Sequence, residues 1–284
     1  MTSCKSSLFV FISSATLSSL LLMSITSTQA NQIVQQQNAG KSSATAFSYI
    51  DPLDEGRAGA THKGKNPHAT LTPAQQIEVA LQHYRDGRMP QAMVVLGRAI
   101  VKFPDSADLY AVRSTINLQE NKTTDALADI EKAIKINPQN PLYRVNRSQI
   151  YLKFNRQKDA LADLDRAIKL NPDLLPAHFN RGSLLAYQGK YQQALEDFNH
   201  CIAIQPHLPG PYFNRGSVYR TLGKNAKAKQ DIEQFVRIAQ EPAWKKAGND
   251  LLKAWFQQRN SDAVNKDSEK NSVKPEKGTI KNAS

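Results

Sequence analysis

Apolar residues return along the chain with a helical period. In RGSLLAYQGKYQQALEDFNHCIAIQP, residues 181–206, the side chains Ala194, Leu195, Phe198, Cys201 and Ile202 fall at helical spacing and form one stripe. Gly189 ends the preceding helix by supplying a turn conformation, and Pro206 stops the next one. The predicted unit is therefore a pair of antiparallel helices.

The same pattern recurs at a fixed interval. Pro104, Pro138, Pro172 and Pro206 stand 34 residues apart, as do Ala92, Ala126, Ala160, Ala194 and Ala228, and as do Ala99, Ala133, Ala167 and Cys201. FNRGS is written at 179–183 and again at 213–217. Ser114, Ser148, Gly182 and Gly216 sit on the first helix where the second-helix alanines meet it, so the two backbones can approach closely. One pair cannot bury its apolar faces alone, so the pairs must stack. The first unit opens with Thr72-Pro73, a cap followed by a first-turn proline. The fifth, from Pro209, has Phe235 in place of a small residue and Gln240 in place of the closing proline. After it, Pro242 starts a further helix carrying Trp244, Leu251, Leu252, Trp255 and Phe256, expected to cap the stack; the alternative is that Trp255 and Phe256 dock a partner.

This period, with small residues at fixed offsets and a proline closing each unit, resembles the tetratricopeptide repeat family. The resemblance implies an all-α fold, a right-handed superhelical solenoid of about five helix-turn-helix repeats with a C-terminal capping helix. The expected organisation is a signal peptide at 1–30, a disordered linker at 31–70, an array at 71–240, the cap at 241–260 and a disordered tail at 261–284. Within the array the repeats run at about 73–106, 107–140, 141–174, 175–208 and 209–240.

The flanks are read from composition. Lys5, an apolar run from Leu8 to Ile25 and the small residues of Thr28-Gln29-Ala30 have the layout of a secretory signal cleaved after Ala30, with a retained membrane anchor as the alternative. The expected address is exported, periplasmic or secreted. Residues 31–70 and 261–284 are polar and without period, too poor in apolar surface to offset chain entropy. Cys4 leaves with the signal, so the mature chain holds Cys201 alone and no internal disulfide. Of the formal net charge of +12, +9 lies between residues 71 and 260. A basic array can face an acidic protein or an anionic lipid or polymer, and the exported address disfavours nucleic acid.

Charge within the array is patterned too. Arg113, Arg147, Arg181 and Arg215 occupy a place where the family more often has an apolar residue, and each has an acid sixteen residues on: Asp129, Asp163, Asp197 and Asp231. The first unit has Val79 and Val95 instead. Charge at both places or at neither is what direct contact between the two helices would produce, so a ladder of structural interhelical pairs is expected.

One place earlier stand Asn146, Asn180 and Asn214. In the family this face of the first helix looks into the groove of the superhelix, which would also present Phe179, Phe213, Gln149, Ser183, Lys153, Tyr187 and Arg220. An amide donates and accepts at once, so such a row suits the backbone of an extended peptide. Similar asparagine ladders occur in the repeats of the O-linked N-acetylglucosamine transferases. A likeness of Asn146-Arg147-Ser148 to a chaperone-tail carboxylate clamp fails, because Ala111, Thr115, Pro176 and Asn180 stand where the clamp needs Lys, Asn, Lys and Arg.

No catalytic constellation, cofactor motif or metal-ligand spacing survives inspection. GATHKGKN at 59–66 nearly spells a phosphate loop, but Asn66 replaces the hydroxyl residue and Pro67 follows. His62, His68, His200 and His207 lack ligand partners at useful spacing, and His178 has no nucleophile beside it. The expected function is a non-catalytic adaptor or scaffold of the cell envelope, or a secreted one, that binds a peptide segment of a partner protein. The alternative is an accessory subunit of an envelope enzyme, or a basic surface for anionic polymer or lipid.

Overall fold

The computed structural model describes residues 71–257, which form eleven α-helices and a short π-helical turn and, among the described residues, no strand. In order they are α1 Pro73–Arg85, α2 Met89–Lys102, α3 Ala107–Gln119, α4 Thr123–Ile136, α5 Pro141–Lys153, α6 Gln157–Leu170, α7 Leu175–Tyr187, α8 Tyr191–Ile204, α9 Pro209–Thr221, α10 Asn225–Ile238 and α11 Pro242–Leu252, with the π turn at Lys253–Gln257. The first helices of the five pairs begin at Pro73, Ala107, Pro141, Leu175 and Pro209. The proposed signal, both flanking segments and the near-phosphate loop lie outside the described residues. No helix among the described residues is long and apolar enough to cross a membrane.

Local chemistry sets the helix ends. Thr72 caps α1 through a reciprocal box: its hydroxyl accepts from the Gln75 amide at 3.3 Å, and the Gln75 side chain accepts from the Thr72 amide at 2.9 Å. The turn after each first helix passes through the left-handed region. Gly87, Gly189 and Gly223 have φ of 73°, 75° and 72°, and Asn121 and Asn155, in the equivalent places, have 58°. Glycine and asparagine tolerate that conformation best. The following residue then turns its amide back on the helix, as in Arg88 to the His83 carbonyl and Lys122 to the Asn117 carbonyl, both at 2.8 Å. Each second helix except the last ends one residue before a proline, at Phe103, Asn137, Asn171 and Gln205, where φ lies between −129° and −142°. A residue ahead of proline is pushed into that extended region.

The described chain forms two compact units, divided between Asn180 and Arg181 inside α7. In the first, α1 packs on α2, α3 on α4 and α5 on α6, with α4 also against α5. Ser114 and Ser148 are fully buried beside Ala126 and Ala160, which are also fully buried. The Ser114 hydroxyl donates to the Ala126 carbonyl at 2.6 Å, tying α3 directly to α4.

In the second unit the close approach is made by glycine. A Cβ on Gly182 would stand 2.9 Å from the Phe198 ring, and one on Gly216 would stand 3.1 Å from Asp231 Cβ and Ile232 Cδ1. Helix α11 packs on α10. Phe235, the bulky residue of the fifth unit, supplies that seat: its ring lies 6.5 Å from Trp244 and 5.2 Å from Phe213. Gly248 is buried there, so close that a Cβ would fall 2.4 Å from Val236 Cγ2. Trp255 and Phe256 meet edge to face at 6.1 Å.

Candidate functional site

The four arginines one place after, or equivalent to, the asparagine positions are engaged within their own helix pairs. Nε and Nη2 of Arg113 donate to Asp129 at 2.8 and 2.6 Å, and those of Arg147 donate to Asp163 at 2.7 and 2.8 Å. Arg181 holds Asp197 at 2.9 and 2.8 Å, and Arg215 holds Asp231 at 2.8 and 2.7 Å. The hydrogen-bonded carboxylates raise the guanidinium pKa of Arg113, Arg147 and Arg215 further above its ordinary value, against the opposing effect of burial. Ring faces cover several of the same cations: Arg113 lies over Tyr110, Arg147 over Tyr151 and Arg215 over Tyr212. In the first repeat Val79 is half-buried and Val95 buried, an apolar contact in place of the ion pair. These charges orient helices and leave little for a ligand.

The three asparagines share a frame position and meet three different surroundings. Asn146 is half-buried and makes no side-chain hydrogen bond with any described residue. Asn180 is 8% exposed, and its Nδ2 is buried without an acceptor. Asn214 donates from Nδ2 to the Ser183 hydroxyl at 3.0 Å and so links α9 to α7.

The aromatic and cationic candidates also divide. Phe179 is 7% exposed and offers no open face, and Phe213 is half-buried against the Phe235 ring. Gln149 is half-buried, three residues from Asn146 on the same side of α5, and makes no side-chain hydrogen bond with any described residue. Lys153, Tyr187 and Arg220 lie in the last turn of α5, α7 and α9. Tyr187 is 79% exposed, while Arg220 donates to Asn225 at 2.9 Å. Sequence reasoning missed that the neighbouring hydroxyls are already used: Thr115, Ser217 and Thr221 each donate to the carbonyl four residues back. Open amide capacity is thus concentrated on α5.

Two other titratable groups are packed into the fold. His178 is buried with Nε2 2.7 Å from the Pro172 carbonyl. Burial pushes the Cys201 thiol up to about 12, helped by the negative charge of Asp197, so it is a poor nucleophile. No group of three or more His, Cys, Asp or Glu side chains among the described residues is arranged to hold a metal ion.

Family models of the tetratricopeptide repeat match residues 107–140, 148–209 and 210–242. No curated protein matches the sequence. Among solved structures, pilF of Pseudomonas aeruginosa is 21% identical over 68% of this chain and 87% of its own, with a TM-score of 0.58. TTC0263, a thermophilic protein of this repeat class from Thermus thermophilus, is 18% identical over 64% of this chain and 99% of its own, with a TM-score of 0.56. PilW, described as a type IV pilus biogenesis factor, is 18% identical over 65% and 94%, with a TM-score of 0.54. At these identities the likeness is one of fold.

Proposed function

Because the chain is a tetratricopeptide-repeat protein and so a protein-interaction scaffold, we propose that it works outside the cytoplasm as a non-catalytic adaptor whose α5 face holds an extended segment of a partner protein. The observation that carries this reading is a contrast between neighbours on one helix. Arg147 is held by Asp163 through two donors, Nε and Nη2, whereas Asn146 and Gln149 keep their donors and acceptors. Amides spaced by one helical turn can bond a peptide backbone while asking little of its side chains. The exported address is supported by the charged start, apolar run and small residues of positions 1–30.

The test is chemical crosslinking in cells that make the protein, followed by capture of the intact chain and of the variant Asn146→Ala/Gln149→Ala. The adaptor reading expects one or a few proteins to be lost from the variant. Equal recovery of every protein would contradict it.

A further inference from the structure

Charge is one-sided on the turns of the unit formed by residues 181–257. Its two turns from first to second helix, in the windows 186–193 and 220–227, hold Lys190, Arg220, Lys224 and Lys227 and no carboxylate. The connections at the opposite ends of these helix pairs, 203–210 and 237–244, hold only Arg237 and Glu241, which cancel, with Lys245 and Lys246 following on α11. Net positive charge therefore gathers along one edge of the helix pairs.

Stability does not account for this placement. Lys190 and Lys224 are the N-cap residues of α8 and α10, and neither makes a side-chain capping bond. A helix N-terminus carries partial positive charge, so a cation there is disfavoured, and Ser, Thr, Asp or Asn would cap it. Of their three counterparts in the other unit, Arg88 and Arg156 are answered by a local acid, Asp86 at 2.6 Å and Asp159 at 2.7 Å, and Lys122, which forms no ion pair with any described residue, is flanked in sequence by Glu120 and Asp125. Lys190 and Lys224 form no ion pair with any described residue. Beside them stand apolar groups open to solvent: Tyr187 is 79% exposed, and Leu222 is 39% exposed.

We propose that this turn edge rests on an anionic phospholipid surface. Three of the four cations are lysines, which act as flexible, strongly hydrated point charges and suit headgroups at shifting distances better than one fixed carboxylate. Tyrosine has an apolar ring and a polar tip, the combination favoured at a bilayer interface. The basic residues supply attraction to negative lipid, and Tyr187 and Leu222 supply shallow apolar contact. A soluble acidic partner would answer the cations alone and leave Tyr187 and Leu222 open to solvent, whereas a bilayer interface takes up both. The edge is built from Lys190, Lys224, Lys227, Tyr187 and Leu222 and the amide face from Asn146 and Gln149 of α5, so either assignment can fail while the other stands.

The test is binding of the full chain to vesicles of phosphatidylcholine alone and of phosphatidylcholine with phosphatidylglycerol. One variant carries Lys190→Glu, Lys224→Glu and Lys227→Glu; a control carries the same charge change as Lys135→Glu, Lys169→Glu and Lys245→Glu at positions elsewhere. A third carries Tyr187→Ser and Leu222→Ser. A glutamate at a helix N-terminus favours the helix, so melting curves should show the turn variant folded. The expected result is a loss of affinity for phosphatidylglycerol vesicles by roughly a hundredfold in the turn variant and by under about threefold in the control. The apolar variant should lose affinity several-fold, and no variant should differ on phosphatidylcholine alone. Equal losses in turn variant and control, or no loss in the turn variant, would overturn the proposal. Full affinity in the apolar variant, with displacement by soluble polyglutamate, would overturn it in favour of a soluble acidic partner.

Discussion

Arg215 grips Asp231 along one edge of its guanidinium, Nε to Oδ2 at 2.8 Å and Nη2 to Oδ1 at 2.7 Å, and its remaining Nη1 reaches Asn199 Oδ1 at 2.6 Å. One side chain on α9 thereby fixes α10 of its own repeat and α8 of the repeat before it. The aspartate is nearly buried and the arginine mostly so, with side chains 6% and 18% exposed. Such a contact sets orientation, and its geometry is costly to lose from one side only.

The first prediction follows directly. Arg215→Ala leaves a buried carboxylate without its cation and should destabilise the fold by about 3–5 kcal/mol. In a double-mutant cycle with Asp231→Ala, measured by urea unfolding, the two losses should fall short of adding by about 1–3 kcal/mol. Simple additivity would show that the pair contributes no coupling.

Gly182 and Gly248 should resist the smallest enlargement. Alanine ordinarily improves a helix interior by up to about 1 kcal/mol over glycine. Here its Cβ would press on the Phe198 ring at 2.9 Å, or on Val236 at 2.4 Å. Overpacking should win, with losses of about 1–3 kcal/mol in thermal or chemical unfolding for each variant. Gly97 is the control, because a Cβ there meets nothing within 4 Å and Gly97→Ala should be neutral or stabilising.

The turn residues should show the opposite preference. Gly189 sits at φ 75° and Asn155 at φ 58°. Gly189→Ala should cost about 1–2 kcal/mol, and Asn155→Gly should be tolerated within a few tenths of that amount. Equal stability of wild type and Gly189→Ala would mean that the turn relaxes to a different conformation.

Cys201 gives a prediction in pH. Its folded-state thiol keeps its proton up to about 12, whereas the ordinary value is 9.0, because burial disfavours the thiolate. Above pH 9 the unfolded chain loses that proton first, so the unfolded state gains and stability falls. The contribution of this group should be constant below the ordinary thiol pKa and decline by about 1.4 kcal/mol per pH unit above it. Comparing pH profiles of unfolding for the wild type and Cys201→Ala isolates the slope. A thiol reagent at neutral pH should label Cys201 only as fast as the chain opens.

Much of the fold is legible in the sequence because the repeat reports the same local rule five times. Proline after each second helix but the last, glycine or asparagine after each first, and small residues at the crossings all lie in one 34-residue frame. The Arg–Asp contacts are visible for a related reason, since charge occurs at both positions or at neither.

The groove is harder to read, because a frame identifies equivalent positions without identifying their neighbours. Asn146 keeps its amide open, Asn180 is buried, and Asn214 is taken by Ser183, where the residue three places after each asparagine is Gln149, Ser183 and Ser217. Phe179 and Phe213 show the same effect for apolar groups: Phe179 is buried, and Phe213 packs on Phe235, the bulky residue of the fifth unit. Cations at the turns carry no periodic apolar signal, and their meaning emerges only from exposure and from the absence of nearby acids in residues 186–193 and 220–227.

The adaptor function is tested most directly by placing a photo-crosslinking amino acid at Gln149 and, in a second chain, at the exposed Arg237 of α10, then irradiating cells that make the protein. The Gln149 chain should give a discrete adduct whose crosslinked peptides map to one short segment of one partner, and the Arg237 chain should not. No adduct at Gln149, or the same adducts from both positions, would contradict a partner held on the α5 face.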